Sequence, residues 1–240
     1  MLYCDMTDSH PLPKRYSDLD TLSNALADQI AAALEVAIKD RGAASLVVSG
    51  GKTPITLFRT LRAKDLDWGR VCIALADERW VEPSSADSNE HLVRSELLHG
   101  KAAAARFIGL KNAAPTPDIG AVSAWETFAR VPRPFDAVVL GMGDDGHTAS
   151  LFPNSPNLSR ALNPAAAAGC VGMWAPVPPH ARMSLNLTAL LDSRRIVILL
   201  NGAEKWRTYE SATMPGPEAE MPIRAVLRQT GTPVEVMWAS

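Results

Sequence analysis

One stretch limits the fold more than any other: Phe135–Pro153, FDAVVLGMGDDGHTASLFP. A short apolar run, Phe135 to Leu140, opens into a glycine-rich turn that carries Asp144, Asp145 and then His147. A run this short, bounded by turn residues, has the length of a buried strand rather than of a helix. In an open α/β sheet, ligands bind outside the carboxyl ends of the strands. The chain is therefore expected to form such a sheet and to bring its reactive groups to this loop.

The rest of the sequence fits that frame. Asp18 is placed to cap a helix that runs to about Arg41, with Leu22, Leu26, Ile30 and Leu34 on one face, and Gly42 ends it. Ala44–Val48 reads as a buried strand, followed by Ser49-Gly50-Gly51-Lys52-Thr53 and a helix opened by Pro54. Val71–Ala76 is the next strand, and it empties into Asp77-Glu78-Arg79-Trp80. Ser88 is a cap for a helix over 89–98, and Asp118 for one that ends near Ala129. A proline-rich, irregular segment over 153–181 follows the histidine loop. Strands are then expected at 170–175, 182–187, 196–200 and 234–238, with helices at 204–211 and 223–228. Strands alternating with helices predict an α/β fold with a largely parallel sheet. No repeat or linker divides the chain, so a single domain over 1–240 is expected.

Composition excludes several functions. With 47% hydrophobic and 21% charged residues, the 240-residue chain is an ordinary globular sequence. A net charge of −2 gives no basic field for nucleic acid or an anionic membrane, so an anionic substrate must be held by a few placed cations. No apolar run approaches the ~18 residues of a membrane helix. The N-terminal MLYCDMTDSH has no basic region and is interrupted by Asp5 and Asp8, unlike a signal peptide. Cys4, Cys72 and Cys170 show no metal-ligand spacing and read as reduced thiols of a cytoplasmic protein. No metal or cofactor is expected.

Two motifs are decoys. Gly141-Met142-Gly143-Asp144-Asp145-Gly146 matches the dinucleotide pattern, but its aspartates would repel a pyrophosphate. That pattern also requires an acidic residue about 20 positions later, and none occurs between Asp145 and Asp192. Gly51-Lys52-Thr53 ends like a nucleotide-binding loop, yet the leading glycine position holds Leu46. What remains is a strand–Gly-Gly–helix junction, which suits an anion but can equally be a tight turn. Asp77-Glu78-Arg79, Arg182 and Lys205, each taken alone, read as solvated charges. His147, flanked by Asp145 and glycines, is a candidate general base.

Together, three separated motifs resemble the 6-phosphogluconolactonases: Ser49-Gly50-Gly51-x-Thr53-Pro54, Asp77-Glu78-Arg79, and Gly141-x-Gly143-x-Asp145-Gly146-His147 continuing to Pro153. Arg182-Met183-Ser184-Leu185 and Gly202-x-x-Lys205 resemble two later motifs of that family. The resemblance implies a three-layer α/β/α Rossmann-like fold and hydrolysis of a sugar-phosphate lactone. It implies His147 as the group that activates water. Arg182 and Lys205, with Ser49, Gly50, Gly51 and Thr53, are implied to hold the phosphate, and Asp77 and Arg79 to line the sugar pocket. Arg79 and loop N–H groups are the candidates for the oxyanion donor, and Asp145 for orienting His147. Lys52 departs from the small residue usual in the family; it either adds a phosphate contact or faces solvent, and solvent is the first expectation. The related glucosamine-6-phosphate deaminases carry a glutamate five residues after the histidine, where this chain has Phe152. That favours hydrolysis over deamination, and the intact His147 favours an enzyme over a sugar-phosphate sensor.

Overall fold

The computed structural model describes residues 10–240. The N-terminal stretch and Cys4 lie outside the described residues. The chain runs β1 (Lys14–Tyr16), α1 (Leu19–Arg41), β2 (Ala44–Val48), α2 (Pro54–Leu61), β3 (Val71–Leu75), β4 (Asp77–Arg79) and α3 (Asn89–Glu96). It continues with β5 (Arg106–Ile108), α4 (Pro117–Phe128), β6 (Ala137–Leu140), α5 (Leu158–Leu162), β7 (Cys170–Trp174), β8 (Ala181–Leu185) and α6 (Leu187–Leu191). It closes with β9 (Ile196–Asn201), α7 (Ala203–Thr213), α8 (Ile223–Arg228) and β10 (Val234–Ala239).

Seven strands form one sheet in the order β1-β10-β9-β6-β2-β3-β5, and every pair is parallel. Helices cover both faces, which gives the expected three-layer α/β/α fold. Every residue of β2, β3 and β6 is buried, as strands covered on both faces must be. The chain leaves β2 for β3 and β5, then returns to β6 on the other side of β2. This reversal opens a crevice between β2 and β6 at their carboxyl ends, which is where such sheets bind ligands. The Gly50-Gly51 turn and the His147 loop leave the sheet at that crevice.

α1 begins and ends as expected. Asp18 accepts a hydrogen bond from the Thr21 N–H at 2.7 Å, and Gly42 takes the left-handed conformation at φ +78°. Two expectations differ. The cap of α4 is Thr116, whose side chain accepts from Ile119 N–H, and not Asp118. Pro117 is the first helical residue, so the cap must precede it. Asp118 instead accepts from the Asn157 amide at 2.9 Å. Asp77–Arg79 is not a loop but a strand, paired antiparallel with β8 in a second sheet, β4-β8-β7. The N–H of Leu185 donates to the Ala76 carbonyl at 2.9 Å, which joins the small sheet to the large one.

The opposite end of the sheet is fastened by Asp136. Its carboxylate is buried and accepts from the Ser45 N–H at 2.9 Å, and it pairs with Arg41 and Arg194. This ties the starts of β2 and β6 to the end of α1. Asp136→Ala should leave the Ser45 N–H buried and unpaired, lowering unfolding free energy by about 2 kcal/mol in urea titration. The site lies at the other end of the strands, so KM should not move. A wild-type urea midpoint would show that Asp136 does not fasten the sheet.

Candidate active site

Two backbone hydrogen bonds shape the loop after β6. The N–H of Gly146 donates to the Gly143 carbonyl at 3.0 Å, and the N–H of Gly143 donates to the His147 carbonyl at 2.8 Å. Gly146 sits at φ +77°, a conformation that favours glycine. The turn brings Asp145 against His147. Asp145 Oδ1 accepts from the His147 N–H at 3.1 Å and lies 2.5 Å from the ring Nδ1. Gly143 leaves the room for this pair, because a Cβ there would stand 2.0 Å from His147 Nδ1.

Burial pushes the Asp145 carboxyl up, but the hydrogen bonds and charge of His147 outweigh it and hold the group below its ordinary value of 3.8. Asp145 is therefore an anion at neutral pH. An ionised carboxylate only accepts, so Nδ1 carries the hydrogen, and in the neutral imidazole Nε2 is the acceptor. Thr148 and Ser150 complete the loop. Thr148 Oγ1 donates to the Gly141 carbonyl at 2.9 Å, and Ser150 Oγ donates to Asp77 Oδ2 at 2.6 Å.

The small sheet supplies the arginines. Residues of β4 and β8 pair so that Arg79 stands directly opposite Arg182. Like charges opposed across a strand pair are unfavourable, so this juxtaposition reads as a seat for an anion. Arg182 is buried, and its Nε donates to the Pro179 carbonyl at 2.8 Å. Burial, and then the Arg79 charge, lower its pKa, against the pull of Asp77, Glu78 and Asp87. Arg79 Nε is buried without a protein acceptor among the described residues. The reading of Asp77 and Arg182 as solvated charges is thus corrected: both lie in the interior.

Glu78 holds this arrangement and was not singled out in the sequence. Fully buried, it accepts from the N–H groups of Arg79, Asn89 and Glu90 at 2.7, 2.7 and 2.8 Å and from Ser88 Oγ at 3.0 Å. Ser88 caps α3 as expected, accepting from the His91 N–H at 3.1 Å, and Glu78 takes the neighbouring N–H groups of that helix start; burial raises the Glu78 pKa against its four donors. Asn89, at the start of α3, donates its amide to the Asp77 carbonyl at 2.9 Å. Its Oδ1 occupies the space where a Cβ on Gly50 would be, 1.9 Å away, so a side chain at residue 50 would displace the Asn89 amide. The helical pattern gave α3; only the pairing of β4 brings its first residue to the site.

A cavity of about 400 Å³ gathers these parts. Ser49, Gly50, Gly51 and Thr53 form one wall, Asp77, Arg79 and Arg182 another, and His147 and Lys205 face them. Asp145 does not line the cavity; it stands behind the imidazole, against Nδ1. Lys205, in the first turn of α7, pairs with Asp144 at 2.7 Å and clips that helix to the histidine loop. Phe152 packs its ring 4.3 Å from the His147 ring, and the Arg182 guanidinium lies 5.7 Å from Phe152 on its other contact. Among the described residues, no group of three or more His, Cys, Asp or Glu gathers in a way that could hold a metal ion.

The glycines of the loop give a paired test. A Cβ on Gly141 meets nothing within 4 Å, whereas one on Gly143 collides with the Asp145–His147 pair. Gly143→Ala should lower hydrolysis of the expected lactone by about 100-fold, the scale of a misplaced catalytic group. Gly141→Ala should stay within about threefold of wild type. Equal activities in the two variants would contradict the packing argument.

The glucosamine-6-phosphate isomerase/6-phosphogluconolactonase family model matches residues 17–238. The chain is 44% identical over 216 residues to a 6-phosphogluconolactonase of Pseudomonas aeruginosa, covering 90% of each chain. It is 42% identical to one of Rhizobium meliloti, covering 93% of this chain and 97% of the relative. The crystal structure of a 6-phosphogluconolactonase from Shewanella baltica superposes with a TM-score of 0.94 at 46% identity, covering 98% of this chain and 100% of that one. With a family match over nearly its whole length and relatives this similar, the chain belongs to the glucosamine-6-phosphate isomerase/6-phosphogluconolactonase family.

Proposed function

We propose that this protein hydrolyses 6-phospho-D-glucono-1,5-lactone to 6-phospho-D-gluconate, the lactone-opening step of the oxidative pentose phosphate pathway. The observation that carries the proposal is the Asp145–His147 contact of 2.5 Å, with the imidazole set in the wall of a cavity that also presents Arg79, Arg182 and Lys205. The relatives' activity supports the same reaction.

In this reading Arg182 and Lys205 bind the phosphate, one as a planar fork and one as a point charge, together with the Ser49–Thr53 turn. That fixes the ring with C1 near His147. His147 Nε2 takes a proton from water as its oxygen bonds to C1. Arg79, with an unpartnered Nε, stabilises the tetrahedral oxyanion. The bond from C1 to the ring oxygen then breaks, and the imidazolium returns its proton to that oxygen. The acid product ionises in water. Asp145, a partly exposed carboxylate, keeps the proton on Nδ1 and favours the transient imidazolium.

The competing reading is deamination of an amino-sugar phosphate. It needs a carboxylate beside the histidine, and Phe152 fills that side with an aromatic ring instead. Fresh phospholactone, assayed against its spontaneous hydrolysis, should be opened by the protein, while glucosamine 6-phosphate in a parallel assay should be left unchanged. Arg182→Met should raise KM for the phospholactone by at least about tenfold and leave KM for unphosphorylated gluconolactone nearly unmoved. Ammonia release from glucosamine 6-phosphate would reverse the assignment, and equal KM changes would remove Arg182 from the phosphate site.

A further inference from the structure

Four cations line the cavity: Lys52, Arg79, Arg182 and Lys205. Three of them are engaged by the protein. Arg79 donates to the Asp87 carbonyl, Arg182 to the Pro179 carbonyl, and Lys205 pairs with Asp144. Lys52 is exposed, and among the described residues no carboxylate lies within 4.0 Å of its ammonium. Its ammonium remains available for an incoming anion.

The same turn carries other unused donors. Among the described residues, the buried Ser49 Oγ finds no partner. Among the described residues, no acceptor receives the N–H groups of Gly50, Gly51, Lys52 or Thr53. Local charge sharpens the point. Four carboxyl groups, Asp77, Glu78, Asp144 and Asp145, stand in or directly behind the walls. Without Lys52, three cations would face four carboxyl groups in a chain whose net charge is already −2. A phosphate dianion would then approach a site with no net attraction at a distance.

We propose that Lys52 is a specificity residue: it captures the phosphate of the incoming lactone at the cavity rim and sets the preference for phosphorylated over unphosphorylated substrate. Lys52 faces solvent as expected; the proposal adds the phosphate contact that was the alternative, and it rests on the lactonase reading. Lys52 acts on capture, so its contribution falls in kcat/KM and not in kcat. It is also screened by salt, since an exposed charge acts over about 8 Å at physiological ionic strength and about 3 Å at 1 M.

The test uses Lys52→Ser, Lys52→Glu and Lys52→Arg, with melting temperatures to confirm folding. At low ionic strength Lys52→Ser should lower kcat/KM for the phospholactone about 3- to 10-fold, and Lys52→Glu more than about tenfold. Lys52→Arg should restore it to within about twofold, and kcat should be unchanged in all three. Unphosphorylated gluconolactone should not distinguish the variants, and the differences should close near 1 M salt. Wild-type kcat/KM for Lys52→Glu at low salt would overturn the proposal, as would an equal loss on the unphosphorylated lactone. Calorimetric binding of 6-phosphogluconate to wild type and Lys52→Glu separates the two levels of inference. Weaker binding to the variant, in a protein that failed to open the lactone, would sink the hydrolase reading and leave Lys52 as a phosphate contact. Equal binding would remove Lys52 whatever the activity.

Discussion

The site depends on the hydrogen bond between Asp145 and His147. It fixes the tautomer, aims Nε2 at the cavity and keeps a negative charge behind the ring. The bond exists because the loop folds back within three residues, and that fold requires the positive φ of Gly146 and the missing side chain of Gly143. The segment before α8 locks it further. The Ile223 N–H donates to the Gly146 carbonyl at 2.9 Å, and Met221 packs where a Cβ on Gly146 would go. Asp144, the neighbour of Asp145, holds Lys205 at 2.7 Å. Two adjacent aspartates thus hold two different partners, Asp145 the imidazole of His147 and Asp144 the ammonium of Lys205.

The second constraint is electrostatic. The small antiparallel sheet sets Arg79 against Arg182, and buried Glu78 and Asp77 offset their mutual repulsion. This array is preorganised: the guanidinium groups are held by backbone carbonyls before any substrate arrives. Such fixed charges need no reorganisation when negative charge develops on the substrate. Phe152 separates the base from the anion site with an apolar surface that touches both His147 and Arg182. Its ring covers part of the imidazole, 4.3 Å from the His147 ring.

Much of this was legible in the sequence. The strands of the large sheet are short apolar runs, and their ends are marked by glycine or charge, so β2, β6 and β9 stand where they were expected. The nine wall-forming residues, from Ser49 to Lys205, meet in one cavity because β2, β6 and β9 end at the same edge and the small sheet brings β4 and β8 to it. The rest was not legible, for physical reasons. β4 is three charged residues long, and only its pairing with β8, about a hundred residues away, makes it a strand. For the same reason Glu78 and Asn89 were missed: their roles are set by that pairing, not by local pattern. Thr116 was passed over for Asp118 because the choice of cap turns on where Pro117 can sit.

The most direct test of the account is His147→Ala, assayed for lactone opening and for binding of 6-phosphogluconate. Loss of the base should lower kcat by about 10³-fold, within the range general-base catalysis supplies. Affinity for 6-phosphogluconate should stay within about threefold, because the phosphate contacts are untouched. Hydrolysis at close to the wild-type rate would contradict the assignment of His147 and, with it, the role of the hydrogen bond on which the loop is built.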